Sequence, residues 1–257
     1  MLAANHKVGC VQALPPQAKV YRSQRIWSMY VDLVEALGTF QEAREVYDKM
    51  IDHKVASAQV ILNYAEFLAN QRYWEDSFQV YEKGVANFKY PHAETIWRAY
   101  LTAFVDRHKG NKVERARDLF QQACEDAPTA KRKQFYLMHA DFEEKYGLAR
   151  HCYNVYEAAA KAVPKAERVE VFRLFADRAQ KLNGIPKVRE VYQMACEAEP
   201  PHELPDRDVI DLAVEFATIE KRLNEIDRSR CSSRLPSPRL GHPNIQLCGG
   251  AWISCRS

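Results

Sequence analysis

Apolar residues recur at spacings of three and four through most of the chain, and the positions that hold aromatic rings return about every 36 residues. In residues 24–37 the apolar positions are Ile26, Trp27, Tyr30, Leu33, Val34 and Leu37, which line one face of a helix. Gly38 ends that helix. A second runs from Phe40 to about His53, with Ala43, Val46, Tyr47, Met50 and Ile51 on its apolar stripe. Two short antiparallel helices therefore form the unit. Its first-helix positions return as Trp27/Tyr30, Ile61/Tyr64, Trp97/Tyr100, Tyr136/His139, Phe172/Phe175 and Ala213/Phe216.

The second helix has its own signature. An aromatic follows 17 residues after the second first-helix position, at Tyr47, Tyr81, Tyr156 and Tyr192, and after 20 residues at Phe120. Four residues before each ring stands a small or compact residue: Ala43, Ser77, Ala116, Cys152 or Val188. It shares the ring's face, so it predicts where two helix backbones approach closely. Pro128, Pro164 and Pro200 each follow the ring by eight residues and are expected to end the second helix. A fixed period of this length predicts a repeat array in which each unit buries its apolar face on the next. The expected fold class is all-α, a right-handed α-solenoid of antiparallel helix pairs, and the expected seam residues are Trp27, Tyr30, Tyr47, Tyr64, Tyr81, Trp97, Tyr100, Phe120, Tyr156 and Tyr192.

Composition narrows the alternatives. Nine glycines in 257 residues, 28% charged side chains and no sustained Val/Ile/Thr alternation point away from a sheet protein. No apolar run reaches the ~18 residues of a membrane span, and the opening MLAANHKVGC lacks the apolar core of a secretory signal. An intracellular chain is expected. Cys124, Cys152 and Cys196 fall at helix-core positions, and no CxxC pair is present, so these read as reduced thiols packed as small apolar groups.

Three arginines in the last 27 residues account for the whole excess of 37 basic over 34 acidic side chains. Residues 1–230 are thus neutral, which argues against a surface built to neutralise many phosphates. The one dense basic cluster, Lys131-Arg132-Lys133, is placed in a turn after Pro128. From Cys231 onward there is no Asp, Glu or Lys, and Pro236, Pro238, Pro243, Gly241, Gly249 and Gly250 interrupt any helix. The periodicity predicts an aromatic at 233, where serine stands. The expected organisation is a poorly ordered segment or the remnant of a preceding repeat at 1–20, an array of five full units and the first half of a sixth at 21–230, and a disordered tail at 231–257. That tail reads as foreign sequence, with Cys248 and Cys255 as candidate reactive thiols.

The tetratricopeptide pattern fails for want of its first-helix glycine. The half-a-tetratricopeptide (HAT) pattern fits better: Trp and Tyr, an acidic residue near the helix end, then Ala-Arg-x-x-Tyr. It reads here as Trp27, Tyr30, Glu35, Ala43, Arg44, Tyr47, and as Trp97, Tyr100, Ala116, Arg117, Phe120. More specifically, GTFQ, RARDLF and YGLARH within residues 20–230 resemble the SYF-type splicing factors, the XPA-binding HAT proteins. That resemblance implies a nuclear, non-catalytic scaffold of the spliceosome's NineTeen-associated complex, partnered by other spliceosomal proteins, with a further role in transcription-coupled DNA repair. RNA contact is implied only weakly. Members of that family are much longer, so the chain resembles a fragment. The alternatives are a HAT scaffold of messenger 3′-end processing, or a tetratricopeptide-like adaptor clamping a peptide carboxylate with clustered Lys and Arg.

Candidate interaction residues are the aromatics outside the seam register, Tyr73, Trp74 and Tyr90, with Lys131, Arg132 and Lys133. Arg44, Arg117, Arg150 and Arg189 are expected to pair with an acidic residue of their own repeat, such as Glu35 or Glu143. His139, Asp141, Glu143, Glu144, His151 and Cys152 bring ligand and nucleophile types together near one helix end, but they form no HExxH, phosphate loop or GxSxG elbow. No enzyme activity, cofactor, metal, membrane or small-molecule substrate is expected. Loss of a sixth second helix is expected to expose Val214, Phe216 and Ile219.

Overall fold

The structure is a computed structural model that describes residues 22–197 and 204–223. The expectations for 1–20, for Pro200 and for 231–257, including Cys248 and Cys255, lie outside the described residues. The described residues form eleven α-helices and no strand: α1 (Gln24–Leu37), α2 (Phe40–Asp52), α3 (Ala58–Asn70), α4 (Trp74–Asn87), α5 (His92–His108), α6 (Val113–Asp126), α7 (Thr129–Tyr146), α8 (Ala149–Ala162), α9 (Lys165–Asn183), α10 (Ile185–Cys196) and α11 (Asp206–Arg222). None is long and apolar enough to cross a membrane. They divide between two compact units, Met1–Phe104 and Val105–Ser257.

Local chemistry sets the helix ends. The Thr39 hydroxyl accepts from the Glu42 amide while the Glu42 carboxylate accepts from the Thr39 amide at 2.8 Å, a reciprocal cap that starts α2. Ser57 caps α3 through the Val60 amide. Pro128 and Pro164 do stop α6 and α8, and each also occupies the N-cap of the next helix, where its missing amide costs nothing. Pro205 likewise occupies the N-cap of α11. The reversal between α9 and α10 needs Gly184, whose φ of 73° a side chain would strain.

In the first unit α1 pairs with α2 and α3 with α4, while α2 packs on α3. In the second, α7 pairs with α8 and α9 with α10; α6 packs on α7, α8 on α9 and α10 on α11. The compact residue of the second helix lies where the hairpin partners meet. Ser77 donates to the Ala65 carbonyl at 2.8 Å, and the Cys152 thiol points at the Ala140 carbonyl at 3.7 Å. Both acceptors belong to the first helix of the same pair. Gly84 gives α4 a second close approach, since a Cβ there would sit 2.7 Å from the Ile61 side chain on α3.

The core follows the repeat register. Tyr47, Tyr64, Tyr81, Trp97, Tyr100, Phe120, Tyr156 and Tyr192 are buried, and each such ring stabilises by roughly 1.5–3 kcal/mol through removal from water. Tyr30 differs from the expectation: it is 47% exposed, and Trp27 is half-buried. The reason is positional, because among the described residues no second helix precedes α1. At the other end Val214 is exposed and Ile219 half-buried, but Phe216 is buried, covered by the Tyr192 ring of the preceding repeat.

Candidate interaction surfaces

Each repeat joins the next through one stacked pair of rings. The second-helix ring of one repeat lies on the first-helix ring of its successor: Tyr47 on Tyr64 at 4.6 Å, Tyr81 on Tyr100 at 5.4 Å, Phe120 on His139 at 5.0 Å, Tyr156 on Phe175 at 5.1 Å and Tyr192 on Phe216 at 5.2 Å. All five pairs lie within 18° of parallel.

Two further positions accompany every stack. The first is the residue after the second-helix ring. Asp48 accepts from the Tyr64 hydroxyl at 3.1 Å, and Glu82 accepts from the Tyr100 hydroxyl at 2.9 Å. Burial first, then the Asp48 carboxylate, pushes Tyr64 well above the ordinary phenol range. In the other three seams the residue after the ring is Gln121, Glu157 or Gln193, and the facing ring, His139, Phe175 or Phe216, has no hydroxyl to donate. The second position follows the compact residue: Arg44, Phe78, Arg117, Tyr153 or Arg189. Arg117 forks onto Glu143 at 2.6 and 2.9 Å, and Arg189 forks onto Glu220 at the same two distances. Both carboxylates stand four residues after the facing ring and are buried. Where that facing residue is Phe104, the second helix supplies Phe78, 5.2 Å away.

These ion pairs correct the expectation for the arginines. Arg117 does meet Glu143, but Glu143 belongs to the next repeat, and Arg44 likewise reaches Asp76 on α4 at 3.0 Å. Glu35 instead accepts from the Tyr47 hydroxyl of its own repeat at 2.6 Å, and Arg150 is exposed. The mistake is geometric: the arginine lies one residue beyond the hairpin contact, which turns it towards the following helix pair. Burial alone would raise Glu143, yet the two hydrogen bonds and charge of Arg117 bring it net below the usual carboxylate range. A readable signal for the hydroxyl partners was present in the Tyr-Asp and Tyr-Glu dipeptides at 47–48 and 81–82.

The candidate surface residues divide. Tyr73 is 49% exposed, with one face stacked on Phe40 at 4.9 Å; Phe40 in turn lies on Phe67 at 5.4 Å. Trp74 and Tyr90 are half-buried, and the Tyr90 hydroxyl is enclosed. Lys131, Arg132 and Lys133 lie in the first turn of α7 rather than in a turn. Arg132 donates to the Ala127 carbonyl at the end of α6, and Lys133 pairs with Glu170 and, at 3.7 Å, Glu167. Arg132 and Lys133 are therefore engaged within the fold, which weakens the cluster as a phosphate site.

The ligand-type residues at the end of α7 also serve packing. His139 Nε2 is 3.7 Å from Glu143, and burial holds its pKa down at about 4. Cys124, Cys152 and Cys196 are free thiols, pushed up by burial to about 12, 11 and 11, which makes them poor nucleophiles. Among the described residues no group of three or more His, Cys, Asp or Glu is placed to hold a metal ion.

Comparison with known proteins joins this geometry to a family. The family described as pre-mRNA-splicing factor Syf1/CRNKL1 C-terminal HAT repeat matches residues 3–245. The chain is 45% identical over 216 residues to pre-mRNA-splicing factor SYF1 of Dictyostelium discoideum, covering 84% of this chain and 25% of that protein. It is 49% identical over 142 residues to SYF1 of Homo sapiens, covering 55% and 17%, and 42% identical over 219 residues to pre-mRNA-splicing factor cwf3 of Schizosaccharomyces pombe, covering 85% and 27%. The chain thus spans about a quarter or less of the length of these relatives.

Proposed function

Since the chain belongs to the Syf1/CRNKL1 C-terminal HAT repeat family, we propose that it is a non-catalytic scaffold segment acting in pre-mRNA splicing, in the nucleus, through contacts with proteins of the NineTeen-associated complex. The observation that carries this reading is the uniform seam. Five successive ring stacks in one register hold the helix pairs together. The reactive residue types are used in packing, while the outward faces of the helices remain available for long contacts with partner chains. The family's relatives named as splicing factors support the process assigned. Engagement of Arg132 and Lys133 within the fold favours protein over RNA as the direct partner.

A pull-down of the tagged chain from nuclear extract tests the proposal. Spliceosomal proteins and small nuclear RNAs are expected to co-purify, and the RNAs to be lost when the bridging proteins are stripped by salt. Recovery of neither from a chain that retains its helical circular dichroism would refute it.

A further inference from the structure

Three cations gather at the turn between α5 and α6 without forming a run in sequence. Arg107, Lys109 and Lys112 are all exposed, and no acidic residue stands between them. The turn spans four residues, 109–112, whereas the other described helix pairs reverse in one to three, at 38–39, 71–73, 147–148 and 184. In those shorter turns only Arg72 carries a charge.

Two of the three cations stand where local backbone rules disfavour them. Lys109 has a φ of 41°, at a helix end where glycine is unstrained. Lys112 is the N-cap of α6, where an ammonium cannot accept from the helix amides as Thr39 does for α2, and its charge opposes the positive end of the helix. Exposed residues that cost local stability in this way mark a surface kept for contact. The backbone of the turn is nevertheless fixed. The Lys109 amide donates to the Val105 carbonyl and the Asn111 amide to the His108 carbonyl, both at 2.9 Å. Gly110 lies against the Tyr146 ring of α7, whose Cδ1 would be 3.0 Å from a Cβ at that position. Tyr146 is 36% exposed and Leu148, two residues on, 66%, so the cationic turn borders open apolar surface. Asp106, Glu114 and Asp118 flank the turn in sequence and are exposed, with Glu114 held by Arg117 at 2.7 Å. Three cations between carboxylates suit a short acidic segment, whereas a phosphate backbone needs a longer basic track.

On the scaffold reading of the chain, we propose that the α5–α6 turn docks a short acidic segment of a partner protein. Its carboxylates meet Arg107, Lys109 and Lys112, and an apolar side chain among them meets Tyr146 and Leu148.

The test titrates the fluorescein-labelled peptide DEDLFDED into the intact chain by anisotropy at low salt. Saturable binding is expected, at least tenfold tighter than that of the uncharged NQNLFNQN and at least threefold tighter than that of DEDSSDED. Lys109→Gly is expected to weaken it about two- to fivefold and Lys112→Asp about five- to tenfold, while the unfolding midpoint holds or rises in both. Lys161→Asp, at an exposed position on α8, is expected to change binding less than about twofold. Weaker binding in a chain of equal or greater stability separates docking from a structural role. Absent binding, equal binding of NQNLFNQN, insensitivity to both turn variants, or an equal response to Lys161→Asp overturns the proposal. So does an oligouridylate that binds as tightly as the peptide, or a self-association of the chain abolished by Lys112→Asp, since these identify the occupant as a nucleic acid or a second copy. Failure of the peptide with a chain that still co-purifies with spliceosomal proteins removes this docking site and leaves the scaffold function standing.

Discussion

The seam between α4 and α5 and the seam between α6 and α7 share one register but use different chemistry beside the stacked rings. In the first, Phe78 meets Phe104 at 5.2 Å and the Tyr100 hydroxyl donates to Glu82. In the second, Arg117 forks onto the buried Glu143 and the ring stacked on Phe120 is His139. An apolar pair gains from leaving water without a partner requirement. A buried ion pair holds only while both members are present, because either charge alone is stranded in a poor solvent. The repeat therefore conserves a contact geometry while each seam carries its own key, which favours one neighbour over another.

The sharpest way to break the contrast is to put the wrong key in the apolar lock. Phe104→Glu is expected to destabilise by more than about 4 kcal/mol, the range of a buried unpaired charge together with a lost ring. Adding Phe78→Arg should recover part of that loss, and absence of any recovery in denaturant titrations would show that the two positions are not coupled. Arg117→Ala is expected to cost about 3–5 kcal/mol by leaving Glu143 buried and unpaired, while replacing both Arg117 and Glu143 by leucine should be near neutral. Trp97→Ala, which deletes a buried ring of the α4/α5 seam, falls in a similar range of about 3–5 kcal/mol. A loss below ~1 kcal/mol would remove Trp97 from the seam.

Acid should separate the two seams next. Folded His139 has its pKa lowered from 6.5 to about 4, so the unfolded chain binds the extra proton between those values. Stability is then complete above about pH 6.5 and declines as pH falls towards 4, by up to about 3 kcal/mol. Glu143, also lowered, adds to the loss in the same direction below about pH 4.5. Unfolding midpoints at pH 7.5 and 5 are expected to converge in His139→Phe; a wild-type midpoint that does not shift would contradict the buried neutral imidazole. The smallest effect is Tyr100→Phe, about 1–2 kcal/mol for one hydrogen bond to a carboxylate, with no counterpart at His139.

The helix pairs, their rings and the compact residue of each second helix were legible in sequence because each depends on periodicity within 15–20 residues, roughly the span of one hairpin arm. The Pro128 and Pro164 boundaries were legible for the same reason: they act on the adjacent backbone. Partner choice across the seam was not. Whether Arg117 turns to its own repeat or to the next depends on the angle at which α6 crosses α7, and a one-residue offset on a helix swings a side chain by about 100°. The Lys131-Arg132-Lys133 cluster shows the same limit, since only the packed array brings Glu170 to Lys133. Local spacing thus determined which residues are buried on one helix, whereas the tertiary structure decided what each of them meets, because contacts between neighbouring repeats join residues 26–32 positions apart whose directions no local pattern fixes.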